Sequence, residues 1–222
     1  MIITIDGPAG TGKSTTARSL ADAIGFTYFD TGALYRGISW QILETGISYQ
    51  DDEALSKLLK TFSFRIRLIN GNKRYFVGNM DVTEAIRSKS VTAIVSEVAA
   101  LKKVRDVLKP LQVNFSKEID VVFEGRDLGT VVFPHAHLKF FLTARPEIRA
   151  KRRYRELSEK FPDQTFSYKT ILKEIQERDA YDSGREHAPL KQAEDAILID
   201  TSDFTVEEVT NQLKQIYLEK KG

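Results

Sequence analysis

The chain has 222 residues, enough for one generous domain or for a core carrying an inserted subdomain. Hydrophobic residues make up 41% and charged residues 29%, and the net charge of only +2 argues against bulk attraction to nucleic acid or a membrane surface. The lack of cysteine excludes disulfides, thiolate nucleophiles and Cys-bound zinc, and with no charged leader or membrane-length apolar run a cytoplasmic location is expected.

Ile2, Ile3 and Ile5 read as a short buried strand that runs into Gly7-Pro8-Ala9-Gly10-Thr11-Gly12-Lys13-Ser14, a complete G-x-x-x-x-G-K-[ST] phosphate loop. Glycines let successive N–H groups curl inward onto phosphate oxygens. Lys13 supplies a mobile cation for the β/γ-phosphates, and the Ser14 hydroxyl can sit on Mg²⁺. Thr15–Ile24 shows helical periodicity through Ala17, Leu20, Ala21 and Ile24, which places the loop on a helix N-terminus where anions are favoured. Together these features predict nucleoside triphosphate binding.

Four further apolar runs, Phe26–Phe29, Val121–Phe123, Leu138–Leu142 and Ile197–Ile199, alternate with helical patterns near 33–44, 90–116, 147–160, 168–179 and 205–219. That rhythm predicts a parallel α/β sheet of five strands. One stretch departs from it. Phe62–Leu68 alternates apolar and polar residues, Asn70-Gly71-Asn72 offers a tight turn and Tyr75–Val77 follows, the pattern of a β-hairpin. Asp81-Val82-Thr83-Glu84 then reads as a capping box opening the next helix. Residues 61–100 are expected to form a small α/β insertion. His135, His137 and His187 read as loop histidines, Trp40 and Tyr35 fit a core, and Lys220-Lys221 reads as a solvated tail.

A phosphate loop serves GTPases, motors, transporters and kinases alike, so the chemistry must be read elsewhere. The only Asn-Lys pair, at 72–73, continues Arg-Tyr, which argues against the guanine-reading N-K-x-D of a GTPase. Arg36 and Arg126 follow the second and third core strands, where loops of an open sheet converge on the ligand. Arg149, Arg152 and Arg153 share i, i+3, i+4 spacing, and read equally well as phosphate ligands or as a solvated face. Arg178 and Arg185 flank Asp179 and Asp182. Fixed guanidinium groups suit transfer between two phosphates, and a dianionic acceptor needs no general base; no H-R-D-type loop is present. A kinase for another small acceptor (UMP, AMP or a metabolite) and an ATP-dependent switch without an acceptor are the open alternatives.

The segments ITIDGPAGTGKST, DTGALYR (30–36), SEVAALKKVR (96–105), EGRDLGTVVFP (124–134) and RDAYDSGREHAPL (178–190), in this order, resemble the bacterial cytidylate kinases of the nucleoside monophosphate kinase superfamily. The resemblance covers essentially the whole chain. It implies a three-layer P-loop kinase with a core over 1–60, 101–144 and 167–222, a monophosphate-binding insertion at about 61–100 and a helical lid at about 145–166. The implied reaction is ATP-dependent phosphorylation of CMP and dCMP with Mg²⁺, by a monomer that binds neither nucleic acid nor membrane. It implies that Gly7–Thr15 hold ATP, with Arg149, Arg152 and Arg153 carried towards its phosphates. Arg36, Arg126 and Arg185 would clamp the CMP phosphate, and Lys13, Arg126 and Arg185 would carry the catalysis. Thr31, Arg105 and Asp127 would read cytosine, and Ser96, Arg178 and Asp182 would contact the ribose. A carboxylate at 127 can accept from the cytosine N4 amine, where uracil presents another acceptor. Glu124 stands where some relatives carry aspartate and would approach Mg²⁺ directly or through water; Thr31 stands where serine is also common; Asp6, a packing or metal-site residue, is left without a role.

Overall fold

The computed structural model describes residues 1–221. In chain order the elements are β1 (Ile2–Asp6), α1 (Lys13–Ile24), β2 (Thr27–Asp30), α2 (Thr31–Thr45), α3 (Asp52–Thr61), β3 (Phe64–Ile69), β4 (Asn72–Val77), β5 (Met80–Asp81), α4 (Lys89–Ala100), α5 (Lys102–Phe115), β6 (Val121–Glu124), β7 (Leu138–Thr143), α6 (Pro146–Lys160), α7 (Tyr168–Ser183), β8 (Ile197–Asp200) and α8 (Val206–Lys221). A 3₁₀ turn at Ala85–Arg87 and a π-helical turn at Leu128–Val132 complete it. The chain forms two units, one of Met1–Asp30 with Phe115–Gly222 and one of Thr31–Asn114.

The first unit holds a five-stranded sheet of order β2-β6-β1-β7-β8, parallel throughout, as the five apolar runs predict. Successive residues of β1 are buried on both faces, which is why these strands read as unbroken apolar runs. On one face Ile3, Ile5, Val122, Phe140 and Leu142 meet Ala17 and Leu20 of α1 and Val209, Leu213 and Tyr217 of α8. Elsewhere in the unit Phe123 packs against Phe29 and Phe133 at ring separations of 5.1 and 4.5 Å. The central strand β1 is flanked by β6 and β7, so the loops after β1, β6 and β7 leave side by side at the carboxyl edge.

The second unit contains α2–α5 and the sheet β3-β4-β5. Its span takes in the 61–100 stretch and adds the helices on either side. The hairpin forms with Ile69 opposite Asn72, and Asn70 (φ 52°) and Gly71 (φ 76°) take the paired left-handed conformation that Asn-Gly supplies. Its core is Ala33, Tyr75, Val77, Val82 and Ile86, with Trp40, Phe62, Phe64 and Ile66 packed against it. Gly37 of α2 is a close-approach glycine, since a Cβ there would stand 2.8 Å from the Phe64 ring.

Local expectations differ from the fold in three places. The 90–116 pattern is two helices: Leu101 turns extended (φ −70°, ψ 120°), and the Arg105 guanidinium donates back to Ala99 O (2.9 Å) at the end of α4. The Asp81 carboxylate accepts from Thr83 N and Oγ1 and opens no helix; Ser88 caps α4 by accepting from Val91 N. Lys220 and Lys221 lie within α8, with Lys221 over the Tyr217 ring.

Leu213 is fully buried between α8 and the sheet. Leu213→Ala is expected to lower stability by about 2–5 kcal/mol in denaturant melts.

Candidate active site

The phosphate loop is shaped by two steric demands. Gly7 has φ +144°, and a Cβ on it would lie 2.0 Å from Leu142 O, so the chain passes β7 only with glycine. Gly12 (φ 86°) occupies the cap position of α1, where no side chain caps the helix and no acidic residue sits in the first turn. The first N–H groups of α1 are therefore left for an external anion.

Side chains hold the loop's carbonyls from outside. Arg126 Nη1 donates to Gly7 O (2.6 Å), Lys13 Nζ to Pro8 O (2.8 Å), Arg149 Nη1 to Ala9 O (3.0 Å) and Thr201 Oγ1 to Thr11 O (2.9 Å). With those acceptors engaged, the loop presents its N–H face to a polyphosphate. Lys13 is buried 4.0 Å from Glu124 Oε1 at the end of β6, and Glu124 Oε2 accepts from Tyr28 OH (3.2 Å). Burial, and next the neighbouring Arg126, push the Lys13 ammonium down to about 7.

A second centre forms around Asp182 of α7, whose side chain is 2% exposed. Arg126 Nε reaches its Oδ2 at 3.2 Å, Arg178 Nε stands 3.9 Å from the same oxygen, and Arg185 pairs with Oδ1. One carboxylate thus gathers three guanidinium groups, leaving an excess of positive charge beside the phosphate loop. Arg126 belongs to both centres.

The predicted residues fall in both units. In the first unit Gly7–Thr15, Glu124, Arg126, Asp127, Arg149, Arg178, Asp182 and Arg185 come together. Arg149 is no surface residue, being 3% exposed and bonded to Ala144 O (2.9 Å) and Asp179 Oδ2 (2.5 Å) besides the loop. Arg152 turns to Thr201 Oγ1 and O (3.1 and 2.5 Å), and Arg153 is exposed, paired with Glu156 on its own helix. In the second unit Thr31 is buried at the start of α2, and Ser96 is half-buried on α4. There Arg36 donates to Ile86 O (3.1 Å) and Thr92 Oγ1 (3.0 Å), and Arg105 lies 5.5 Å from the Tyr35 ring centroid.

Sequence patterns left Asp6, Asp179 and Thr201 without roles. Asp179 and Thr201 steady the loop through Arg149 and Thr11. Asp6 is buried, and its oxygens accept from Leu128 N (3.0 Å) and Gly129 N (2.7 Å). Each oxygen thus ties β1 to the turn that follows β6. Among the described residues no group of three His, Cys, Asp or Glu side chains is suited to a metal ion, and His137 Nδ1 accepts from Ile2 N (3.0 Å). No helix there is long and apolar enough to cross a membrane.

The cytidylate kinase family model matches residues 3–219. The chain belongs to the cytidylate kinase family. A cytidylate kinase of Protochlamydia amoebophila is 51% identical over 215 residues, covering 96% of this chain and 94% of the relative. Another, from Carboxydothermus hydrogenoformans, is 44% identical over 216 residues, covering 97% and 96%. Among solved structures, an uncharacterized protein from Eubacterium ventriosum aligns over 97% of both chains with a TM-score of 0.51 at 13% identity, a likeness of fold alone. The cytidylate kinase family match thus spans both units.

Burial, opposed by the two main-chain bonds, pushes the Asp6 carboxyl from 3.8 up to about 7. A raised carboxyl holds its proton more tightly in the folded chain, so the stability it contributes is complete below about pH 3.8 and lost on rising through about pH 7. In denaturant melts the native chain is expected to lose stability relative to Asp6→Asn across that window, with a level difference above it. A level difference throughout would mean that the carboxyl titrates normally.

Proposed function

We infer that the chain transfers the γ-phosphoryl group of ATP to CMP or dCMP, giving ADP and CDP or dCDP. An acceptor phosphate oxygen bonds to the γ-phosphorus while the bond from that phosphorus to the β,γ-bridging oxygen breaks in line, and ADP leaves with the electron pair. The observation that carries this reading within the family is Arg126, which joins the donor loop at Gly7 O to the arginine group around Asp182. A guanidinium in both centres can steady charge on donor and acceptor together.

The roles of individual residues follow as proposals. Gly7–Thr15 cradle ATP, and Lys13 exchanges Pro8 O for the β/γ-phosphates. Ser14 would hold Mg²⁺, with Glu124 acting directly or through water; a hydroxyl and a carboxylate are hard oxygen donors, which suits an ion that keeps waters and takes phosphate oxygens. Bound there, Mg²⁺ neutralises developing phosphate charge. Arg126, Arg185 and Arg36 hold the acceptor phosphate. Asp127 accepts from the cytosine amine with Thr31 and Arg105, and Ser96, Arg178 and Asp182 meet the ribose.

Residues 145–166 act as a lid in which Arg149 is already seated on the loop and Arg152 and Arg153 turn towards the donor phosphates, which excludes water as a competing acceptor. The exposed Arg153–Glu156 pair is cheap to break for that purpose. The 61–100 stretch serves as the monophosphate-binding part, and the enzyme works as a monomer in the cytoplasm on small-molecule substrates.

ADP release from Mg·ATP, measured with one monophosphate at a time, is expected to rise strongly with CMP and dCMP and little with UMP, AMP or GMP. Equal release without acceptor would identify an ATPase or switch instead. Asp127→Ala is expected to lower the CMP:UMP ratio of kcat/KM by about tenfold or more; an unchanged ratio would remove Asp127 from base reading. Lys13→Ala should retain its circular dichroism spectrum and lose about 100- to 1,000-fold in kcat.

A further inference from the structure

Asp127 stands at the cap position of the π-helical turn Leu128–Val132, yet its side chain does not cap that turn. An aspartate there ordinarily folds back onto the amides that follow. Here the first two of those amides are engaged from the neighbouring strand: Leu128 N donates to Asp6 Oδ1 at 3.0 Å and Gly129 N to Asp6 Oδ2 at 2.7 Å. Asp6, 5% exposed at the end of β1, therefore caps a turn 122 residues away in sequence. The approach is close: a Cβ on Gly129 would lie 3.4 Å from Asp6 Oδ2 and 3.1 Å from Lys139 Cδ.

The main chain at 127 is clamped on both sides. Asp127 O accepts from Val131 N (2.9 Å), Val132 N (3.3 Å) and Thr130 Oγ1 (3.3 Å), while the next two amides go to Asp6. Gly7, the residue after Asp6, receives Arg126 through its carbonyl. The dipeptide Asp6-Gly7 thus grips segment 126–129 at three points and ties it to the base of the phosphate loop.

We propose that Asp6 is a positioning residue for base selection, which caps the 128–132 turn in place of Asp127 and so holds the Asp127 carboxylate at the acceptor base. The proposal rests on the reading of Asp127 as the cytosine acceptor. A carboxylate is required because two N–H groups point at one side chain. Asparagine has nearly the same shape, but its amide nitrogen would face one of those donors without an acceptor between them.

The test is steady-state kinetics of Asp6→Asn, Asp127→Ala and the double variant at pH 8, with CMP and with UMP. Asp6→Asn is expected to lower the CMP:UMP ratio of kcat/KM by about tenfold, with KM for CMP rising more than KM for ATP. In the double variant the ratio should fall no further than in Asp127→Ala alone, since both changes act through one group. Leu213→Ala, destabilised away from this turn, should keep the native ratio. An unchanged ratio in Asp6→Asn, or additive losses in the double variant, would overturn the proposal while leaving Asp127 as base reader. An unchanged ratio in Asp127→Ala would overturn the base-reading role and the proposal with it. Should Asp6→Asn not fold, Asp6→Ser, which keeps one acceptor in a smaller volume, carries the same comparison.

Discussion

A loop that turns its amides inward must turn its carbonyls outward, and buried carbonyls need donors. That constraint organises the larger unit. Between β1 and α1 the carbonyls of Gly7, Pro8, Ala9 and Thr11 are each met by a side chain, and three of the four donors come from distant elements: the loop after β6, helix α6 and the end of β8. The phosphate cradle is therefore a product of the whole sheet edge. Its glycines permit the curl, but Arg126, Arg149 and Thr201 hold it.

Cations so close together need a counter-charge. Asp182, almost wholly buried, gathers Arg126, Arg178 and Arg185, and Asp179 engages Arg149. Both carboxylates lie on α7, so one helix orients arginines that face different substrates in the proposed reaction. Around Asp182 three guanidinium groups share one carboxylate, and that local positive charge suits phosphate-bearing substrates. Arranging the guanidinium groups in advance avoids reorganisation at the moment of transfer.

Much of this was legible in the sequence wherever a local pattern carried it. The glycine spacing of the loop, the periodicity of α1, five short apolar runs and the Asn70-Gly71 turn all signal through neighbouring residues. Helix α3 carries a local signal of the same kind: Asp51 caps it by accepting from Glu53 N and Ala54 N, and Leu55, Leu58 and Leu59 form its buried stripe. The break at Leu101 has no local signal, because the Arg105 guanidinium that caps α4 comes from the next helix. Asp81-Val82-Thr83-Glu84 satisfied a capping pattern whose donors the structure places at Thr83 alone. Arg149 and Arg153 share a helix and nearly a face, yet only the first is buried against the loop, a difference that periodicity does not resolve. Asp6 was opaque for the same reason, since its partners lie more than 120 residues away in sequence.

The Lys13 bond to Pro8 O has a consequence for affinity. The lysine itself satisfies that carbonyl, so the loop's turn carries its own donor. In the proposed reaction, nucleotide capture would trade one acceptor for another, the ammonium giving up a partner to gain a stronger one. The net gain is smaller than the bare attraction between lysine and phosphate. Such a trade runs backwards as readily, and a site that must shed ADP in every cycle is better served by a partner waiting to take the lysine back.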